Sequence, residues 1–247
     1  MLRSAKTYDE SPQARAHRQN LTAGLTFEVV PMKNLPTAIE ALPAGAEVSV
    51  TCSPTKGIEE TQRVTETLVQ QGFVAIPHIA ARMVRDRAHT ADIAQWCRAA
   101  GVSKLFIVGG DAEEPGTYPG AVEFLADLLG EDHHLDTIGV AAYPDGHTFL
   151  SDELLHRALH DKQRMLAEAG VNGYCSTQMC FDPDAIAKWL RVEREAGLTL
   201  PVHLGLSGVV EKSKLLKMGT RLGIGDSLKY LRKNVGAVVK MLSLIHI

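Results

Sequence analysis

The sequence predicts an α/β chain folded as a (β/α)8 barrel, and three observations carry that prediction. Short apolar runs alternate with polar segments of helical period, polar residues stand at the C-terminal end of nearly every run, and no G-x-G-x-x-G follows the first one. A sheet made only of βα units is parallel and covered by helices, which leaves a closed barrel or a doubly wound open sheet. An open sheet gathers its ligand-binding residues beside one switch point, whereas here they are spread over successive strand ends. A length of 247 residues also suits a barrel folded as one unit.

Seven strands are expected. They fall at residues 25–30, which carry Glu28, at 48–51, which end on Thr51, and at 73–76, with His78 just beyond. The next lie at 104–108 before Asp111, at 137–141 before Tyr143 and His147, at 173–177 before Gln178, and at 201–206. Thr90 is a candidate cap for the helix carrying Ile93, Trp96, Cys97 and Ala100, and Asp182 followed by Pro183 opens a later helix. Gly72, Gly101, Gly130, Gly170 and Gly197 each stand just past a helix, where the left-handed conformation favours glycine.

Residues 1–21 show no periodic apolar pattern and read as a tail or a short cover over the barrel bottom, so the barrel domain is expected over 22–241. After a helical stretch at 234–241 the chain ends in LSLIHI, which matches the translation of a widely used transposase sequencing adaptor. Residues 242–247 are therefore expected to be foreign and the eighth strand to be lacking. That leaves unpaired edges on the first and seventh strands, a feature that promotes aggregation.

Charge and composition exclude several function classes. Twenty-six Lys and Arg against 29 Asp and Glu give a net charge of −3, scattered along the chain, which is no nucleic-acid footprint. No apolar run approaches the roughly 20 residues of a membrane span. A polar N-terminus and four cysteines point to reduced thiols in a cytoplasmic protein.

Two carboxylates stand out. Glu28, between Phe27 and Val29, suits a carboxyl whose pKa desolvation raises towards general-acid use; its alternatives are a solvated strand-end group or a partner for Arg82. Asp111 either works as an ionised carboxylate or caps the turn Gly109-Gly110-Asp111-Ala112.

The ordered set F-E-V-V-P (27–31), V-S-V-T (48–51), P-H-I-A-A-R (77–82), G-G-D (109–111), A-A-Y-P-D-G-H (141–147) and S-T-Q-M-C-F-D (176–182) resembles the 5,10-methylenetetrahydrofolate reductase family over about residues 21–241. The resemblance implies a cytoplasmic barrel that binds FAD at its mouth, is reduced by NADH or NADPH, and converts methylenetetrahydrofolate to 5-methyltetrahydrofolate. A homo-oligomer is also expected. Glu28 then matches the acid that opens the folate ring to an iminium cation, and Asp111 the aspartate near flavin and pterin that stabilises that cation. Gln178 matches the glutamine that contacts folate, while Thr51, His78, Tyr143 and His147 match positions that contact the flavin.

The chain departs from the family pattern at two places that concern anion binding. Gly109 stands where the family has arginine, and Leu166 where a lysine is expected, leaving Lys162 or Arg164 to reach the flavin phosphates from that helix. Relatives that pass hydride directly from nicotinamide need no flavin. Two alternatives remain at this level: a folate-binding methyl-transfer barrel without redox chemistry, and an inert truncated fragment.

Other signals are set aside. Cys175 and Cys180 read as buried thiols, because no C-x-x-C pair or H-x-x-x-H with a third ligand accompanies them. His156 and His160 share a helical face but read as flanking or solvated, and His133 and His134 as loop residues. The glycine-rich stretch 219–227 reads as the turn into the last helix.

Overall fold

The computed structural model describes residues 11–208. Seven strands form one parallel sheet in the unbroken order β1 to β7: β1 (Thr26–Val29), β2 (Glu47–Val50), β3 (Val74–Ala80), β4 (Lys104–Val108), β5 (Thr137–Ala142), β6 (Asn172–Thr177) and β7 (Val202–His203). A doubly wound sheet would reverse its order at a switch point, and this one never does. The sheet is therefore the curled wall of a (β/α)8-type barrel with seven strands among the described residues. The region expected to end the chain, 209–247, lies outside them, as do the helical stretch at 234–241, the glycine-rich stretch 219–227 and the LSLIHI segment.

Helices α2 (Leu35–Glu40), α3 (Gly57–Gln70), α4 (Arg87–Ala99), α5 (Ala121–Leu129), α6 (Asp152–Ala169) and α7 (Pro183–Glu195) follow the first six strands, with α2 after β1 and α7 after β6. Alternation along the strands divides the wall into two faces. Leu105 and Ile107 on β4, Ile138 and Val140 on β5, and Cys175 on β6 are fully buried and pack in one cluster with Ile93, Phe124, Leu128 and Leu166 of the helices. Each such aliphatic burial contributes roughly 1.5–3 kcal/mol. A second cluster joins β1 and β2 to α2 and α3 through Val29, Ile39, Val48, Val50, Val64 and Leu68.

The alternate residues line the barrel interior. There an aromatic row crosses the wall: His78 packs on Phe106 with centroids 4.6 Å apart, Phe106 lies 6.0 Å from Tyr174, and Tyr174 stacks on His203 at 4.5 Å. Gly139 makes the row continuous, since a Cβ there would lie 2.3 Å from Tyr174 Cζ and 2.5 Å from Phe106 Cδ2.

Several local expectations change. β3 runs to Ala80, so His78 is inside the strand rather than beyond it, and β7 is shorter than expected. Asp86, not Thr90, caps α4, accepting from the His89 N–H at 2.8 Å; Thr90 lies one turn inside and its hydroxyl bonds the Tyr118 hydroxyl at 2.8 Å. Asp182 caps α7 as expected, accepting from Asp184 and Ala185 N–H groups. Gly72, Gly101, Gly170 and Gly197 are left-handed, but Gly130 has φ −81° and keeps the helical hand. A mostly exposed helix α1 (Pro12–Ala23) crosses the expected tail boundary; Ser11 caps it and Pro12 starts it, two local signals that work without an apolar stripe. All four cysteines are free. No helix of the described residues is long and apolar enough to cross a membrane.

Candidate active site

Parallel strands in register carry the residues that follow them to one mouth. Glu28 on β1, Thr51 after β2, His78 on β3, Asp111 after β4, Tyr143 and His147 after β5, and Gln178 after β6 all belong to that end of the wall. Glu28 faces the barrel interior, its Oε2 lying 3.9 Å from His78 Nε2. Burial lowers the pKa of His78 to about 4, so its ring is neutral at ordinary pH and the contact is not an ion pair. Burial raises the pKa of Glu28, although its side chain keeps 60% exposure, which gives it a route to solvent protons. Arg82, the alternative partner for Glu28, is committed elsewhere.

That commitment fixes Asp111. The Arg82 guanidinium donates through Nε and Nη2 to the Ala112 carbonyl at 2.9 and 2.7 Å, and through Nη2 to that of Glu113 at 3.3 Å. The loop is further tied by the Gly116 N–H to the Arg82 carbonyl at 2.9 Å and the Thr117 N–H to that of Arg85 at 3.0 Å. A Cβ at Gly116 would meet the Val84 carbonyl oxygen at 2.0 Å, so only glycine permits this approach. Gly110, with φ +87° and the Ala80 side chain against its Cα, turns the chain into Asp111. Asp111 itself is exposed and makes no hydrogen bond or ion pair with another described residue, so it does not cap this turn. The tie between Arg82 and the loop carbonyls is a contact that sequence reading missed; its only signal is the last residue of P-H-I-A-A-R.

At β6, the Gln178 N–H donates to the Ala142 carbonyl at 2.7 Å, and its side-chain oxygen accepts from the Met179 N–H at 2.9 Å. The side-chain NH2 has no described partner. Among the described residues, Thr51 contributes a buried hydroxyl without a hydrogen-bond partner, and the Ser207 hydroxyl beyond β7 is another. Buried unpaired hydroxyls are uncommon and mark places where a ligand can supply the missing bond. The Tyr143 ring meets His147 edge-on at 5.2 Å, and His147 meets Phe149 at 6.0 Å, with Phe149 87% exposed.

The two cations expected to hold flavin phosphates are not at this mouth. Lys162 faces inward from α6 and is buried beside Cys175, on the helix-covered face of the sheet; burial lowers its pKa to about 8. Arg164 lies exposed on the outside of α6 and pairs with Asp161 and Glu168. The periodicity of α6 explains both, since Leu159, Lys162 and Leu166 share its buried face. Beside the Asp111 loop, Arg85 pairs with Glu59 at 3.6 Å, and Arg82 gives its Nε and Nη2 to loop carbonyls. Gly109 offers only open space. Neither expected phosphate cation, Lys162 or Arg164, therefore stands at the mouth.

The family model of methylenetetrahydrofolate reductase matches residues 25–224. The chain belongs to the methylenetetrahydrofolate reductase family. That membership supports reduction in folate one-carbon chemistry. Among solved structures, the chain is similar to tryptophan synthase from M. tuberculosis, with 17% identity, TM-score 0.48, and 83% of this chain and 82% of that one covered. It is similar also to MenC from Desulfotalea psychrophila LSv54, with 14% identity and TM-score 0.41 over 83% of this chain and 53% of that one. A monomeric dihydrodipicolinate synthase variant shares 12% identity at TM-score 0.41, with 85% and 78% covered.

The histidine pair on α6 is a second departure from the sequence reading. His156 and His160 are not merely flanking, because both bond the buried Glu193 of α7.

Proposed function

We propose that this methylenetetrahydrofolate reductase family member interconverts 5,10-methylenetetrahydrofolate and 5-methyltetrahydrofolate, with NADH or NADPH as the two-electron partner, in the cytoplasm. The observation that carries the reading is the pairing of Glu28, a carboxyl whose pKa is raised, with a neutral His78 on the inner wall. A protonated Glu28 donates its proton to the ring nitrogen that leaves, the C–N bond breaks, and the five-membered ring opens to an iminium cation. Hydride then adds to the iminium carbon, giving the methyl group and NAD(P)+. Glu28 recovers its proton from solvent through its exposed side.

Asp111, at the start of the loop whose Ala112 and Glu113 carbonyls Arg82 holds, supplies the carboxylate that stabilises the cation as it forms. The free NH2 of Gln178 orients the pterin edge. Thr51 and the Tyr143–His147 edge receive the ring system of the hydride donor. No step is routed through FAD, because Lys162 and Arg164, the cations expected to hold its diphosphate, lie away from the described mouth.

The test is anaerobic NADH and NADPH oxidation with methylenetetrahydrofolate, alongside a visible spectrum of the purified chain. Folate-dependent oxidation that falls by about 100-fold or more in Glu28→Gln supports the reading. Survival of turnover to within about tenfold rejects Glu28 as the acid. No consumption of either nucleotide by the unsubstituted, folded chain favours non-redox methyl transfer instead, and a stoichiometric flavin band would show that FAD is held by other groups.

A further inference from the structure

We propose that His156, His160 and Glu193 bind one divalent transition-metal cation, with zinc the best match, and that the cation fastens α7 to α6 on the outer helical layer. The site is separate from the mouth, where the reductase chemistry is placed.

The geometry is that of a chelate. His156 and His160 are at i and i+4 on α6, one turn apart on one face, with ring centroids 4.4 Å apart. Their Nδ1 and Nε2 atoms lie 2.8 and 2.9 Å from the same carboxylate oxygen, Oε2 of Glu193. All three ligand atoms fall within 4.8 Å of one another. Two imidazoles and one carboxylate form a ligand set that zinc accepts in tetrahedral coordination with a water in the fourth position. Zinc–ligand bonds of about 2.0–2.1 Å place neighbouring ligand atoms about 3.3 Å apart, so each ring nitrogen needs to withdraw from Oε2 by only about 0.5 Å. An imidazole ligates through a nitrogen that carries no proton, so each ring binds the ion with its proton on the other nitrogen.

The surroundings explain why a cation belongs there. The Glu193 side chain is only 6% exposed, and Oε2 alone takes both histidine contacts, leaving Oε1 with no hydrogen bond to a described residue. A buried carboxylate oxygen bridged by two imidazole nitrogens is a preassembled ligand set that a divalent ion completes. His156 is 41% exposed and His160 21%, giving the ion an entry path and room for water. Glu193 is also the one fully buried residue of α7. Trp189 packs α7 on the apolar cluster, and just past the helix the Gly197 carbonyl accepts from Gln163 Nε2 of α6 at 3.1 Å. A metal bond between the helices therefore adds a cross-link to the contact that His156, His160 and Glu193 already make.

The experiment is titration of the chelator-stripped chain with Zn2+, and with Co2+ for its visible d–d spectrum, followed by thermal unfolding. One equivalent of each ion should bind, Co2+ should show the intense bands of a four-coordinate site, and a hundredfold excess of Zn2+ over Kd should raise the unfolding midpoint by roughly 5–10 °C. His160→Ala and Glu193→Gln should each weaken binding at least about 100-fold and remove the shift. His156→Ala removes a partly exposed ring, so its fold is retained and its loss of metal is readable if the other variants unfold. Absence of stoichiometric binding overturns the proposal, as does binding by His156→Ala with undiminished affinity. Glu28→Gln should keep full metal binding, so failure here and failure of the proposed reductase role are told apart.

Discussion

Glu28 Oε2 and His78 Nε2 are 3.9 Å apart on the inner wall, and burial drives both groups towards their neutral forms. A neutral imidazole leaves the carboxyl free of a cation that would strip its proton. The rate of folate reduction should therefore decline on the alkaline side as Glu28 ionises, and this limb should vanish from the residual activity of Glu28→Gln. A kcat profile against pH checks it; an identical alkaline limb in both proteins would assign the limb to another group.

His78 also shapes stability. Its pKa falls from 6.5 unfolded to about 4 folded, so its contribution is complete above pH 6.5 and is lost as pH falls towards 4. His78→Gln should flatten that slope, which amounts to up to about 3 kcal/mol over the window. Urea unfolding at several pH values between 7 and about 4 measures it.

Lys162 carries a charge into the helix–sheet interface. Its folded pKa of about 8 lies below the 10.5 of the free side chain, so the charged form costs stability at neutral pH. Lys162→Met should stabilise the chain by about 1–3 kcal/mol below pH 8, the gain shrinking to nothing above about pH 10.5. Unchanged or reduced stability at pH 7 would show that the amine has a role in holding the fold.

Asp111 should separate folate chemistry from nucleotide chemistry. Asp111→Asn keeps size and polarity but removes the charge facing the developing cation, so folate turnover should fall by about 100-fold while NADH oxidation by an artificial acceptor changes little. Equal losses in the two assays would mark a structural role for the loop.

Gly139 keeps the aromatic row closed. Gly139→Ala forces Phe106 and Tyr174 apart and should destabilise the chain by about 1–3 kcal/mol, with partial recovery when Tyr174→Leu is added. A midpoint unchanged by Gly139→Ala would refute the close packing at this position.

Much of this molecule was legible in its linear pattern. Apolar runs of strand length alternating with helical segments named all seven described strands, because burial on both faces of a parallel sheet demands continuous apolar runs. Strand ends named Glu28, Thr51, Asp111, Tyr143, His147 and Gln178, because parallel strands must deliver their following residues to one end. Tertiary structure alone decided the rest. Whether Lys162 and Arg164 reach the mouth depends on how α6 is rotated against the sheet, and its Leu159–Lys162–Leu166 face turns one cation into the interface and leaves the other outside. Arg82 became the clamp of the Asp111 loop, and Glu193 met the α6 histidines, through contacts spanning about 30 residues or more of chain. Sequence periodicity is local and fixes which face of an element is apolar; the pairing of polar groups across elements is set only when those faces pack.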